Sequence, residues 1–207
     1  IWTVPDDRLD AFNVVNPDEI CDKYGADTLR MYEMFLGPIE QSKPWDTRGI
    51  SGVHSFLKKF WGLFFKDGLI NISEEDPSNK SLKSLHKTIK KITEDIEKLS
   101  LNTCISSFMI CINELSSMNC NNREILKDLL ILISPFAPHF AEELWNQLGN
   151  KESIVDQVYP VYNEKYLVET EKLYPVSFNG KTKFTMNLPL DLSHHCLLYT
   201  SPSPRDE

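Results

Sequence analysis

The sequence predicts a mainly α fold: an antiparallel helical bundle, a helical connector ahead of it, and a small β-hairpin or α+β unit at the C-terminal end. Three observations carry that expectation. Apolar residues recur at steps of three and four through most of 50–148, and polar caps with Gly or Pro stops divide those runs into helices joined by short links. After Tyr159-Pro160 the pattern changes to one built around Asn179-Gly180, a strong hairpin signal.

The connector comes first. Asn16 can cap a helix whose first position is Pro17, with Asp18 and Glu19 in the first turn at the positive end of the dipole, and Gly25 stops it. Asp27 or Thr28 can cap a second helix carrying Leu29, Tyr32, Met34, Phe35 and Leu36, ended by Gly37-Pro38. From 50 to 65, Val53, Phe56, Leu57, Phe60, Trp61, Leu63 and Phe64 form a wide apolar stripe with Lys58 and Lys59 facing outward. The polar stretch from Asp67 to Ser81 reads as a loop.

The bundle follows. Leu82, Leu85, Ile89, Ile92, Ile96 and Leu99 mark a long amphipathic helix; Asn102 can cap the next, with Ile105, Phe108, Met109, Ile112 and Leu115. Asn121 or Asn122 can cap a third, with Ile125, Leu126, Leu129, Leu130 and Ile133, broken at Ser134-Pro135-Phe136-Ala137-Pro138. Pro138 suits the first position of a fourth, which carries Phe140, Leu144, Trp145 and Leu148 and ends at Gly149. Val176 and Phe178, then Phe184 and Met186, flank the expected type I′ turn, and the small β unit begins near Leu173.

Composition bounds the functional classes. A chain of 207 residues, 41% hydrophobic and of formal charge −8, can bury a sizeable core, and no apolar run approaches the roughly 20 residues that cross a bilayer. The five cysteines (Cys21, Cys104, Cys111, Cys120, Cys196) are odd in number and include no Cys-x-x-Cys pair, which suits free thiols in a reducing compartment. With no basic, apolar leader pattern at the N-terminus, a cytoplasmic location is expected. Overall acidity argues against indiscriminate nucleic-acid binding, though local charge can differ from the sum.

The wording of the connector carries more than its periodicity. Read with Gly49 to Trp61, the run NPDEICDKYGADTLRMYEMFLGPIEQSKPW resembles the region just after the Lys-Met-Ser-Lys-Ser signature of class I aminoacyl-tRNA synthetases, most specifically the leucyl enzymes of bacterial type. LLILISPFAPHFAEELWNQLG resembles the last helices of their anticodon-binding bundle, and VSFNGKTKF the hairpin opening their small C-terminal domain. The resemblance runs from about Phe12 to Ser193 and implies a C-terminal fragment. Its expected divisions are 1–12 outside the family pattern, 13–66 connector, 67–160 bundle, 161–193 start of a small α/β domain, and 194–207 a non-native tail.

The resemblance implies a parent enzyme, monomeric, that activates leucine with ATP and magnesium and esterifies it to tRNA(Leu), with the residues of that chemistry upstream. Asp6, Asp7 and Asp10 stand where the family carries its lysine-rich ATP loop, and three acids would repel a triphosphate, so no catalytic or cofactor-binding residue is assigned. His194, His195 and Cys196 lack the spacing of a zinc site, and no metal ligand is assigned. His54, His86 and His139 each stand alone in helical contexts and read as structural or surface histidines.

Basic residues are the remaining candidates. Lys80, Lys83, Lys87, Lys90 and Lys91 cluster on one face of the long helix, loading its N-terminal half against the dipole while Glu94, Asp95 and Glu97 load the other end. Either this is a solvated face or these lysines contact tRNA phosphates, positioning the RNA without reading bases. Arg48, Lys58 and Lys59 form a second candidate set for the inner side of the tRNA. Phe60, Trp61, Phe64 and Phe65 read as core more readily than as base platforms, and Arg30 as a partner of Glu33 or Asp27. The rival from another class is a helical protein-interaction module with no RNA partner, and a second rival is an autonomous enzyme.

Overall fold

A computed structural model describes residues 15–42, 45–168, 171–178 and 181–189. The helices are α1 (Pro17–Tyr24), α2 (Ala26–Phe35), α3 (Ile50–Trp61), α4 (Asn79–Glu97), α5 (Leu101–Ser117), α6 (Arg123–Ile133) and α7 (Pro138–Gln147). The strands are β1 (Phe65–Lys66), β2 (Leu69–Ile70), β3 (Glu171–Phe178) and β4 (Lys181–Pro189). The mainly α expectation holds. None of the helices is long and apolar enough to cross a membrane.

Asn16 caps α1 by accepting the Asp18 N–H at 3.0 Å, and Pro17 opens the helix. Gly25 ends it at φ +88°, a conformation that disfavours any side chain, and at once begins α2. Neither Asp27 nor Thr28 is therefore the cap, because both already lie inside the first turn of α2. Thr28 Oγ1 instead donates to the Tyr24 carbonyl at 2.7 Å, satisfying one of the orphan acceptors at the end of α1.

Past α2 the chain folds back under Tyr32. Its hydroxyl donates to the Asp46 carbonyl, and Trp45 meets its ring edge-on at 5.2 Å. Gly49 is required beside it, since an added Cβ would lie 2.7 Å from the Tyr32 oxygen. The stretch expected as a plain loop after α3 contains a short hairpin, with Phe65 paired to Ile70, and Ser73 then bridges to Asn122.

Antiparallel packing of α4 on α5 follows from the order of their contacts. Thr103 Oγ1 donates to Asp95 at 2.6 Å near the connecting turn, whereas Ser84 Oγ donates to Glu114 Oε2 at 2.6 Å at the far end. The buried side of α4 is rotated from the apolar stripe: Ser81, Ser84, Thr88 and Asp95 are buried with Leu85, Ile89 and Ile92, while Leu82 is half-buried and Leu99 exposed. Small polar side chains let the two helices approach closely. Thr88 returns its hydroxyl to the Ser84 carbonyl at 2.8 Å, and among the described residues no buried side-chain polar atom lacks a partner.

Asn122 caps α6 by accepting the Ile125 N–H at 3.1 Å, and its amide also donates to the Glu75 carbonyl, tying loop to helix. Pro138 opens α7, and Gly149 beyond its end adopts φ +84°. Phe60, Phe64, Phe108, Ile112, Leu126 and Leu129 are fully buried in one apolar cluster that runs from Ile20 to Ile154. Connector and bundle thus share a single core in a compact unit ending at Tyr166, because α2 packs on α5 and α7 as well as on α3.

The second unit holds the antiparallel pair β3–β4, in register from Glu171 opposite Pro189 to Phe178 opposite Lys181, with an irregularity between Val176 and Ser177. The Asn179-Gly180 turn, the acidic stretch from Asp6 to Asp10, and His194, His195 and Cys196 lie outside the described residues.

Candidate nucleic-acid interface

Helix α4 presents its lysines from a well-anchored start: Ser78 accepts the Ser81 N–H at 3.1 Å, and the buried Ser84, Thr88 and Asp95 fix its inner side. The five lysines then divide. Lys91 donates to Asp95 at 2.8 Å, and Lys90 sits 5.5 Å from the centre of the Tyr162 ring. Lys80, Lys83 and Lys87 have no acidic partner among the described residues.

Asp95 is only 3% exposed. Burial opposes its ionisation, but the hydrogen bonds from Lys91 and Thr103 outweigh that and hold its carboxyl below the usual range. The same bond raises the Lys91 ammonium. Lys91 thus pairs within α4, on the carboxylate that the Thr103 hydroxyl of α5 also reaches.

Sequence spacing did not foresee what covers the flank of α4. The chain after the short 3-10 turn Ile154–Asp156 runs along the helix, and the Tyr166 ring stacks flat on His86 at 4.7 Å and 5°. The Asn163 N–H donates to His86 Nδ1 at 3.3 Å, so that nitrogen bears a lone pair, and burial lowers the pKa of the imidazole. Lys165 adds a cation 5.9 Å from the Tyr166 ring centre. His86 is thus a clasp, not a solitary histidine.

A second basic region lies at the connector. Arg48 closes a bidentate pair on Asp46, at 3.0 Å to each oxygen, whose hydrogen bonds lower the Asp46 carboxyl. Lys59 donates to Asn113 Oδ1 at 2.7 Å, bridging α3 to α5. Lys58 alone of this set has no polar partner among the described residues, and it borders a cleft of about 390 Å³ between the α1–α2 turn, α3 and α7.

Asp27 forms the floor of that cleft. Its Oδ2 accepts the Phe140 N–H at 2.6 Å, capping α7 from 113 residues away in sequence, and its Oδ1 accepts from His139 Nδ1 at 2.9 Å. Gly25 makes this possible by turning α2 sharply off α1. Arg30, expected to pair with Glu33 or Asp27, instead donates from Nε and Nη2 to the Pro135 carbonyl, at the turn between α6 and α7. His54 meets Tyr24 edge-on at 5.5 Å.

The aromatics of α3 also divide. Phe60 and Phe64 are core, whereas Trp61 is 36% exposed, stacked on half-buried Phe65 at 5.1 Å and 12°, and borders the cleft. No group of three His, Cys, Asp or Glu side chains able to hold a metal gathers among the described residues. Cys104 and Cys111 are buried between helices, and desolvation pushes the Cys104 thiol up to about 11, which leaves it inert.

Comparison with known proteins matches residues 79–198 to the family described as the anticodon-binding domain of tRNA ligase. The leucine–tRNA ligase of Flavobacterium psychrophilum is 65% identical over 182 residues, covering 88% of this chain and 19% of that protein. That of Parabacteroides distasonis is 58% identical over 193 residues, covering 93% and 20%. Among solved structures, the Agrobacterium radiobacter K84 agnB2 LeuRS in its ternary complex with tRNA and LeuAMS superposes with a TM-score of 0.70 at 27% identity, covering 93% of this chain and 27% of that one. The chain spans about a fifth of the length of the curated relatives it matches.

Proposed function

Because the chain belongs to the anticodon-binding domain family of tRNA ligases, we propose that it is the tRNA-binding portion of a leucine–tRNA ligase, acting on tRNA(Leu) in the cytoplasm. The parent enzyme, a monomer, would activate leucine with ATP and magnesium, chemistry for which this chain supplies no residue in the present reading. The observation that carries the RNA reading is the row Lys80, Lys83 and Lys87 on α4, cations without acidic partners among the described residues of a chain of formal charge −8.

Stability does not explain the row. Lys80, in the first turn of α4, opposes the helix dipole by about 0.3–1 kcal/mol, and Lys83 and Lys87 lie too far along the helix to gain from it. Phosphates would supply the missing counter-charge and fix the helix along the RNA backbone without reading sequence. Lys58 is the connector's contribution to the same backbone. Lys90, placed over Tyr162, stays close enough to the row to add to its field, while Arg48, Lys59 and Lys91 have protein partners and serve the fold.

The test is a titration of the chain with tRNA across a range of salt. The triple variant Lys80→Glu, Lys83→Glu, Lys87→Glu should weaken binding and flatten the plot of log affinity against log salt by about two to three units of slope, roughly one per lost contact. An unchanged slope removes α4 from the interface, and no salt-dependent affinity for tRNA in the native chain would favour a protein-interaction module instead.

A further inference from the structure

The cleft between the α1–α2 turn, α3 and α7 has features that a backbone-binding surface does not need. Its walls are aromatic, formed by Tyr24, Trp61 and Phe140, and Lys58 lines it together with the imidazoles of His54 and His139. At about 390 Å³ it falls near the lower end of the roughly 300–1,000 Å³ typical of small-ligand sites, room for one nucleotide but not for a helix. Asp27 is the single acid that lines it, and both of its oxygens are engaged, by Phe140 N–H and His139 Nδ1.

Those two bonds set the charge of the site. A carboxylate oxygen has no proton to give, so the His139 Nδ1 proton points at Asp27 and Nε2 is left outward on a side chain that is 81% exposed. Lys58, in the last turn of α3, is exposed at the same cleft. Trp61 stacks on Phe65, meets Phe140 edge-on at 5.9 Å, and still keeps 36% of its surface accessible. Lys23 lies 5.1 Å from the Tyr24 ring centre and adds a further cation beside the aromatic wall.

We propose that this cleft is a nucleotide pocket, which takes one unpaired base of the bound RNA against Trp61 and Tyr24 with the adjoining phosphate held by Lys58. This rests on the RNA-binding reading above and adds to it a preference for RNA with a base free of its helix. Only an unstacked base offers a face to an aromatic wall, and such stacking tolerates any base because every base has a π face. The α4 row gives affinity for any backbone; the cleft selects RNA that can extrude a nucleotide.

The experiment compares two labelled RNA hairpins that differ by one bulged nucleotide, titrated at one salt concentration into the 207-residue chain, with free AMP as competitor. The bulged hairpin should bind about tenfold more tightly and quench tryptophan fluorescence, and the preference should vanish in Trp61→Leu. Because that variant alters packing, Lys58→Ala, at an exposed position, provides an independent arm and should shrink the preference several-fold. Equal binding of the two hairpins overturns the pocket while leaving the α4 interface intact. Failure of both hairpins and of tRNA to bind overturns the pocket and the RNA reading together. Displacement of the bulged hairpin by micromolar AMP would mean a site for free nucleotides, and overturns the assignment to RNA.

Discussion

Asp27 shows how much one side chain can decide in this fold. It sits one residue into α2, yet its carboxylate satisfies an N-terminal amide of α7 and orients His139, so it joins the connector to the last helix of the bundle. Removing it leaves the Phe140 N–H unpaired in a part-buried position. The expected cost of Asp27→Ala is about 2 kcal/mol, from a lost cap and a charge-assisted hydrogen bond, whereas His139→Ala, exposed and singly bonded, should cost under about 0.5 kcal/mol. Urea unfolding of the two variants measures this directly, and equal effects would mean that the capping bond does not hold α7. Asp27 was legible in the sequence only as a candidate cap for its own helix, because its true partner is 113 residues away and periodicity is blind to pairs that far apart. Arg30 and Lys59 escaped prediction for the same reason: their partners, the Pro135 carbonyl and Asn113, lie on other elements.

Among the elements, α4 separates what sequence patterns reveal from what they hide. Its existence, its length and the basic character of one face followed from the spacing of Leu85, Ile89 and Ile92 and the lysines between them. Its rotation did not, since the side buried against α5 includes Ser81, Ser84 and Thr88, residues that hydropathy assigns to solvent. Nor did the covering of its flank by Tyr162 and Tyr166, which converts His86 into an acceptor for the Asn163 N–H. That clasp has a pH signature. Burial depresses the folded-state pKa of His86, so its contribution to stability is complete above the unfolded value near 6.5 and is lost as pH falls through the lower, folded value. Protonation would also place a cation beside Lys83, Lys87 and Lys90 and remove the lone pair that Asn163 uses. Relative to the intrinsic rate, amide exchange at Asn163 should therefore accelerate as pH falls below about 6.5 in the native chain and stay constant in His86→Gln. Equal acceleration in both proteins would remove His86 as the cause.

At the scale of the molecule, the division between units is informative about which parts depend on which. The hydrophobic cluster from Ile20 to Ile154 lies in the first unit, where α2 to α6 contribute its largest buried side chains, and Tyr162 of the clasp on α4 packs against it. Ending the chain after Leu167 should leave a domain that unfolds cooperatively with a midpoint within about 3 °C of the longer chain, since the cluster from Ile20 to Ile154 lies in the first unit. Ending it after Val161 instead deletes both tyrosines, exposes the flank of α4 and leaves His86 without its ring and its donor. A loss of about 1–2 kcal/mol is expected there, from one stacked aromatic pair, one cation–π contact and one hydrogen bond, which lowers the midpoint by several degrees. Thermal melts of the two truncations decide the matter: a large drop already at Leu167 would show that the second unit supports the first, and equal midpoints for both would show that the clasp adds nothing to the bundle it covers.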